Sequence, residues 1–150
     1  MFRAPPGLGW EPFGTHLHKF ELPDLYIVRL RGDVLGDDMG SQIEALRAIA
    51  KRAGGGVFWM ADVSGMGALT VQARHAAAAK ENEDVRALLR GSAVIGASFA
   101  TRVIATLLMR AVRTLNPSRI RPAAFVETEA EARAFLAPYR RHVDLSAEGP

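Results

Sequence analysis

Hydrophobic positions recur along this chain with two periods, a period of two typical of strands and a period of three to four typical of helices. Strand patterns cover residues 15–22, 25–30, the run that begins at Val57, 92–97 and 123–126. Helical patterns cover residues 41–53, 70–90, 99–115 and 128–141. The order β-β-α-β-α-β-α-β-α predicts one α/β domain, with a mixed sheet of four to five strands and about four helices.

The first half of this pattern contains three local signals. The pair Pro23-Asp24 separates the first two strands and predicts a β-hairpin turn. Residues 32–38 hold two glycines and three aspartates and are predicted to form a loop. Ser41 and Glu44 have the spacing of a capping box, which predicts the helix start, and Gly54 is its expected stop.

The two ends of the chain lack a regular pattern. Residues 1–14 contain three prolines and three aromatic residues, which predicts a flexible arm or a segment laid over an apolar groove. Residues 142–150 are predicted to be a tail. The globular domain is therefore expected to span residues 15–141.

The most informative stretch is the apolar run 57–61, which a polar and glycine-rich segment follows. A short apolar run between glycines predicts a strand buried on both faces. Its polar end then lies where open α/β sheets place their binding sites. We expect a binding or modification loop formed by Asp62, Ser64, Gly65, Met66, Gly67, Leu69 and Thr70. In the simpler interpretation, Asp62 and Ser64 only bond the turn backbone and Thr70 caps the next helix.

A stripe of basic residues runs along the predicted helix 99–115. Arg102, Arg110 and Arg113 share one side of an otherwise apolar helix. They are interpreted either as the solvated edge of that helix or as a contact with an acidic partner or an anionic membrane. The segment is too short and too charged to span a bilayer.

No catalytic or metal-binding signature emerges from the sequence. Ser98 follows a strand and opens a helix, but the expected role is that of a helix cap, with a small serine hydrolase as a remote alternative. His16 and His18 share a strand face, yet two ligands do not make a metal site. We therefore expect a non-enzymatic protein without metal or cofactor.

Charge and composition narrow the partner classes. The net charge of +3 comes from scattered basic residues without an interleaved aromatic pattern, which disfavours nucleic acid. The chain contains no cysteine, and Pro5 and Pro6 interrupt the beginning of the sequence, which disfavours a secretory signal. A cytoplasmic location is the expectation.

The element order, together with Asp62-Val63-Ser64-Gly65-Met66 at the end of the central strand, resembles the STAS domain. This is the family of sulfate-transporter and anti-sigma-factor-antagonist domains and includes the SpoIIAA-like proteins. The family pattern runs Asp-Leu-Ser-x-Val and then Asp-Ser-Ser/Thr-Gly, whose first serine is the usual phosphoacceptor. This chain carries only the first half: Val71 stands at the phosphoacceptor position, and Ser64 and Thr70 are the nearest hydroxyls.

The resemblance implies a regulatory module for bacterial signalling that binds another protein through the loop after the central strand. The implied partners are an anti-sigma factor, a kinase or a phosphatase-type regulator. Phosphorylation of Ser64 or Thr70 would add up to about two negative charges there. SpoIIAA-like domains are also similar to the Sec14 lipid-binding fold, so a small apolar-ligand or lipid carrier is the alternative. The hairpin must leave a sheet edge, which allows a homodimer.

Overall fold

A computed structural model of the protein describes residues 7–79, 83–103, 106 and 121–147. The strands are β1 (Glu11–Phe13), β2 (His16–Glu21), β3 (Leu25–Val34), β4 (Val57–Leu69), β5 (Leu89–Ile95) and β6 (Ala123–Val126). The labelled helices are α1 (Gly36–Arg52), α2 (Val71–Ala78), α3 (Glu83–Leu88) and α4 (Glu129–Ala147). Residues 99–103 are also helical.

The six strands form one mixed sheet in the order β1-β2-β3-β4-β5-β6. The strands β1, β2 and β3 pair antiparallel, and the predicted hairpin between β2 and β3 is confirmed, with Phe20 opposite Tyr26. The strands β3, β4, β5 and β6 pair parallel, so that each connection between them crosses the sheet. All four parallel strands therefore end at one side of the sheet, which we call the carboxyl edge.

The sheet separates two hydrophobic cores. On its first face, α1, α2 and α3 cover side chains that include Tyr26 and Val28. On its second face, Ala132 and Leu136 of α4 cover a smaller core that includes Ile27. Because side chains alternate along a strand, the odd and even positions of β3 supply different cores.

The prediction of a buried central strand is confirmed. Strand β4 lies between β3 and β5, Phe58 is 1% exposed, and half-buried Trp59 packs against the first core. The strand is longer than predicted, however, because it continues to Leu69, which pairs with Val34. The expected loop after the central strand is therefore mostly strand. The long β3 beside it supplies the backbone partners, and glycine content alone does not reveal such a partner.

The N-terminal arm and the C-terminal tail are both shorter than predicted. Residues 11–13 form strand β1, which raises the strand count to six, and Phe13 is buried in the first core. Trp10 packs against the second core. These aromatic side chains provide the burial that holds the segment on the sheet. Helix α4 runs past the predicted end to Ala147, while residues 1–6 and 148–150 lie outside the described residues.

The first helix begins earlier than predicted, and the predicted loop over residues 32–38 is wrong. Strand β3 runs to Val34 and α1 starts at Gly36. The Ser41–Glu44 capping box is wrong as well, because Ser41 lies inside the helix. Asp38 does the capping instead: its Oδ2 accepts a hydrogen bond from the Leu35 backbone N–H at 2.9 Å.

The predicted helix over residues 70–90 is two helices. Helix α2 ends at Ala78 because Ala79 adopts an extended conformation, and α3 starts at Glu83. Strand β5 begins at Leu89, three residues before the predicted position at Ser92. The predicted last strand, 123–126, is confirmed.

Helix α4 is joined to the β2–β3 hairpin by two arginines. Arg133 donates to both carboxylate oxygens of Glu21, at 2.7 and 3.1 Å, and Arg140 Nε donates to Asp24 Oδ1 at 2.9 Å. The hydrogen bond from Arg133 lowers the pKa of Glu21, although partial burial of Glu21 opposes this effect. These ion pairs connect α4 to the hairpin, in addition to its apolar contacts with the second core.

Candidate functional site

The polar end of β4 contains a local hydrogen-bond pair. Asp62 Oδ1 accepts hydrogen bonds from the Ser64 hydroxyl at 2.6 Å and from the Ser64 backbone N–H at 3.0 Å. Ser64 is exposed, while Asp62 is half-buried. The predicted bond between these side chains and the local backbone is therefore present. It leaves the Ser64 oxygen accessible from solvent.

Two glycines allow neighbouring strands to approach this end of β4. A side chain on Gly96 would place its Cβ 2.7 Å from the Ser64 Cβ, and Gly96 has a φ of +72°. A Cβ on Gly67 would clash with the Asp33 carboxylate, which accepts a hydrogen bond from the Ala68 N–H at 2.8 Å. The end of β4 is thus packed between the ends of β3 and β5.

Thr70 has a structural role in addition to any functional one. Its Oγ1 accepts a hydrogen bond from the Ala73 N–H at 3.2 Å and its hydroxyl donates to the Val34 carbonyl at 2.9 Å. It is therefore the N-cap of α2, as the simpler interpretation held. Met66 and Leu69 are partly buried against the first core. Of the predicted site, Ser64, Gly65 and Gly67 are the exposed residues.

The sequence reasoning missed a group of exposed apolar side chains at the carboxyl edge. These are Leu35 (53% exposed) after β3, Val71 (51%) after β4, and Phe99 (83%) and Val103 (41%) after β5. They lie directly after three adjacent parallel strands. The available signal was an apolar residue at the start of each following helix.

Short contacts connect some of the segments that carry these apolar residues. A Cβ on Gly36 would lie 3.0 Å from the Gln72 Cβ, so the starts of α1 and α2 are in contact. Ser64, which lies within β4, contacts Gly96 directly after the end of β5. Phe99 and Val103 are four residues apart in a helical segment and share one side of it. The carboxyl edge thus carries two pairs of exposed apolar side chains, Leu35 with Val71 and Phe99 with Val103.

A basic and aromatic cluster lies on the second face and was also missed. The Arg29 guanidinium lies 4.2 Å from the Trp10 ring centre, and Lys19 Nζ lies 4.9 Å from it. Trp10 belongs to the segment predicted to be an arm, so the sequence did not indicate that it returns to β2 and β3. The alternation in β3 had nevertheless placed Arg29 and Arg31 on one face.

The predicted arginine stripe is described only at its beginning. Arg102 forms an ion pair with Glu127 and donates from Nε to the Ala97 carbonyl at 3.1 Å. Arg110 and Arg113 lie outside the described residues. Among the helices in the described part of the chain, none is both long enough and apolar enough to cross a bilayer.

The two histidines of β2 are buried parts of the first face. His16 Nδ1 accepts the Arg31 backbone N–H at 2.9 Å, so that Nε2 carries the ring proton and donates to Asp38 Oδ2 at 3.2 Å. His18 Nδ1 lies 2.7 Å from the Tyr26 hydroxyl. Burial raises the pKa of Tyr26 well above its ordinary value. In residues 7–79, 83–103, 106 and 121–147, no three acidic or histidine side chains gather into a group that could hold a metal ion.

Ser98 and the surface cleft complete the list of candidate sites. Ser98 Oγ accepts a hydrogen bond from the Thr101 N–H at 3.2 Å, which makes it a helix cap rather than an aligned nucleophile. A cleft of about 240 Å³ lies between β1 and the first half of α1. Its lining combines the apolar Pro12, Phe13 and Ala45 with the polar Glu11, His18, Ser41 and Glu44, and its volume is below the roughly 300 Å³ at which small-molecule pockets begin.

Comparison with known proteins identifies the fold. The sequence matches no family model and no curated protein. The structure is similar to the anti-sigma factor antagonist SpoIIAA in its unphosphorylated form, with a TM-score of 0.57 and 11% identity over 81% of this chain and 97% of that one. It is also similar to an uncharacterized protein of the DUF3478 family, with a SpoIIAA-like fold, from Shewanella loihica PV-4. There the TM-score is 0.50, with 16% identity over 85% of this chain and 90% of that one. The chain therefore has a SpoIIAA-like, STAS-type fold, as the sequence resemblance predicted.

Proposed function

We propose that this chain is a non-enzymatic regulatory module that binds another protein through its carboxyl edge. The observation that carries the proposal is the group of exposed apolar side chains Leu35, Val71, Phe99 and Val103. Large exposed apolar side chains that gather on one side of a protein are typical of protein-binding sites. The module works in the cytoplasm, as its composition led us to expect.

The similarity to SpoIIAA supports a proposal about the kind of partner. That protein is an anti-sigma factor antagonist, and we propose the corresponding partner class here: an anti-sigma factor, a kinase or a phosphatase-type regulator. The contact differs in part from the sequence expectation. Met66 and Leu69 are partly buried against the first core, so the apolar contact shifts to the four residues of the carboxyl edge.

Ser64 is the hydroxyl that we propose as the modifiable group of this surface. It is exposed, whereas the Thr70 hydroxyl serves the N-cap of α2 and the Val34 carbonyl. A phosphate on Ser64 would stand beside the Asp62 carboxylate and add negative charge at the carboxyl edge. Such a change alters the electrostatics of any partner contact made there.

Site-specific photocrosslinking in the native cell tests the proposal. A photoreactive phenylalanine derivative replaces Val71 in one variant and Phe99 in another, and captured proteins are identified by mass spectrometry. Leu22, which is 59% exposed in the turn before β3, is the matched control at the opposite side of the sheet. We expect one protein to be captured from both Val71 and Phe99 and not from Leu22. Absence of capture from both edge positions, or equal capture from Leu22, would refute the proposal.

A second experiment addresses the lipid-carrier alternative. The purified protein is extracted with organic solvent and the extract is analysed by mass spectrometry. The cleft between β1 and α1, at about 240 Å³, is smaller than the roughly 300–1,000 Å³ of typical ligand pockets, so we expect no stoichiometric lipid. One lipid per protein molecule would instead support a carrier.

A further inference from the structure

We infer that the partner segment seated at the carboxyl edge is acidic, and that its carboxylates contact Lys19, Arg29 and Arg31 on the second face of the sheet. This inference rests on the proposed function and specifies the chemistry of the partner. It places the acidic contact on β2 and β3 rather than on the predicted helix 99–115.

The strand alternation puts the three cations on one face. Ile27 belongs to the core of the second face and Leu30 to the core of the first. Arg29 and Arg31 therefore point to the second face, and Lys19, which pairs with Ile27 across the hairpin, does so too. Arg31 is exposed, while Arg29 and Lys19 are half-buried. Their charged groups remain within reach of a partner.

These cations differ from the arginines that hold the fold together. Arg47, Arg102, Arg133 and Arg140 each form an ion pair with an acidic residue. Lys19, Arg29 and Arg31 lie within 4.0 Å of no carboxylate in the part of the chain that the structure describes. Lys19 lowers the pKa of Glu21 only by longer-range electrostatic attraction, and the Glu21 carboxylate accepts hydrogen bonds from Arg133. Within the described residues, the positive charge of the cluster is therefore not neutralised by an ion pair within 4.0 Å.

Trp10 positions two of the cations. Its ring lies 4.2 Å from the Arg29 guanidinium carbon and 4.9 Å from Lys19 Nζ, distances typical of cation–π contacts. Cations held in this way lose less side-chain freedom when a carboxylate binds them. The ring is already engaged by the protein's own cations, which disfavours its use as a stacking platform for a nucleic-acid base.

The cluster is continuous with the carboxyl edge. Arg29 pairs with Asp62 and Arg31 with Gly65 in the register of β3 and β4. A Cβ on Gly65 would lie 3.9 Å from the Arg31 Cγ, so the Arg31 side chain runs beside the exposed glycine. Asp62 is the acidic group within this register, and its Oδ1 accepts two hydrogen bonds from Ser64. A partner segment that binds beside Ser64 and Gly65 would therefore lie close to Arg31.

Fluorescence anisotropy with a short, dye-labelled poly-glutamate peptide tests the inference. The peptide is titrated with the full chain at low and at physiological ionic strength, and salt is expected to weaken binding. The double variant Arg29→Glu/Arg31→Glu is expected to bind the peptide at least about tenfold more weakly than the wild type. The milder Arg29→Gln/Arg31→Gln and the single Arg31→Glu, at an exposed position, keep the test valid if the first variant misfolds. Lys51→Glu/Arg121→Glu, two exposed residues away from the cluster, controls for net charge.

The indole N–H signals of Trp10 and Trp59 in a ¹⁵N-NMR spectrum supply an internal control. The Trp10 signal is expected to shift when the peptide binds. The Trp59 signal is expected to stay in place, because Trp59 Nε1 is buried. The inference would be overturned if Lys51→Glu/Arg121→Glu lost as much affinity as Arg29→Glu/Arg31→Glu, or if the Trp10 signal did not change. It would also be overturned if the wild-type protein did not bind the peptide.

A short oligo-dT strand and vesicles containing phosphatidylserine are the competing probes. If either probe binds more tightly than the poly-glutamate peptide, and this binding is lost in the Arg29→Glu/Arg31→Glu variant, the choice of an acidic protein segment is overturned.

The failure of this inference is distinguishable from that of the proposed function. If a partner is crosslinked at Val71 and Phe99 but its affinity does not change in the charge-reversal variants, only the acidic contact is contradicted. Peptide binding at the cluster without any crosslinked partner contradicts the protein-binding function.

Discussion

The imidazole Nε2 of His16 donates a hydrogen bond to the Asp38 carboxylate across 3.2 Å, and both side chains are buried. The same carboxylate oxygen accepts the Leu35 backbone N–H, and the other ring nitrogen of His16 accepts the Arg31 N–H. One pair of side chains therefore joins β2, β3 and the start of α1. This network holds the amino end of α1, from which the carboxyl edge is partly built.

Replacing Asp38 tests how much this network stabilises the fold. Asp38→Ala leaves two donors without their acceptor, and we expect the free energy of unfolding to fall by about 1–3 kcal/mol. Asp37→Ala removes the same charge from an exposed position in the same helical turn, and we expect a loss of at most about 1 kcal/mol. Urea denaturation measures both. Equal losses would show that the helix dipole, rather than the buried hydrogen bonds, accounts for the effect.

Glycine is expected to be required at position 96 for full stability, because of the close contact with Ser64. Gly96→Ala places a Cβ 2.7 Å from the Ser64 Cβ, whereas Gly54→Ala, also at positive φ, has no neighbour within 4 Å. Both variants strain the backbone, but only the first also clashes, so we expect it to lose about 1–3 kcal/mol more. Adding Ser64→Gly to Gly96→Ala should recover part of that difference in urea denaturation. If Ser64→Gly brings no recovery, the two residues do not have the contact described.

Glu21 is expected to make stability depend on pH in the acidic range. Its hydrogen bond from Arg133 lowers its pKa from the ordinary value of 4.5 in the folded state. Its contribution is therefore fully present above that value and is lost as the pH falls through the lowered folded pKa. Because the pair is partly exposed, we expect Glu21→Gln to cost about 0.5–1 kcal/mol at neutral pH.

Thermal or urea unfolding of Glu21→Gln and wild type across pH 2–7 checks this expectation, with about equal stabilities at the acid end. The exposed Glu44, which forms no ion pair within the described residues, provides the control Glu44→Gln. A difference between wild type and Glu21→Gln that grows on acidification would contradict the assigned direction of the pKa shift.

Thr70 is expected to act through its hydroxyl as a cap. Thr70→Val removes the acceptor of the Ala73 N–H and the donor to the Val34 carbonyl, and we expect a loss of about 1–2 kcal/mol in urea denaturation. Thr70→Ser keeps the hydroxyl and should retain most of the stability. A serine variant as unstable as the valine variant would mean that the methyl group, rather than the cap, matters.

Elements that depend on local pattern could be predicted from the sequence. The hairpin around Pro23-Asp24, the inner strand at Phe58 and the last strand were correct because turn residues and hydrophobic periodicity act over a few positions. The cap by Thr128 is a local feature as well: its Oγ1 accepts the Glu131 N–H at 3.1 Å. The element order and the residues Asp62-Val63-Ser64-Gly65-Met66 together indicated the STAS-type fold, although the structure has one strand more than predicted.

Tertiary structure alone decided what depends on a distant partner. Asp62 to Leu69 became a strand because β3 extends beside it, and Trp10 became part of the sheet surface because Arg29 and Lys19 lie there. The exposure of Val71 and Phe99 likewise depends on how residues distant in sequence pack around them. Backbone pairing and burial are contributed by residues far apart in sequence, so no local pattern contains them.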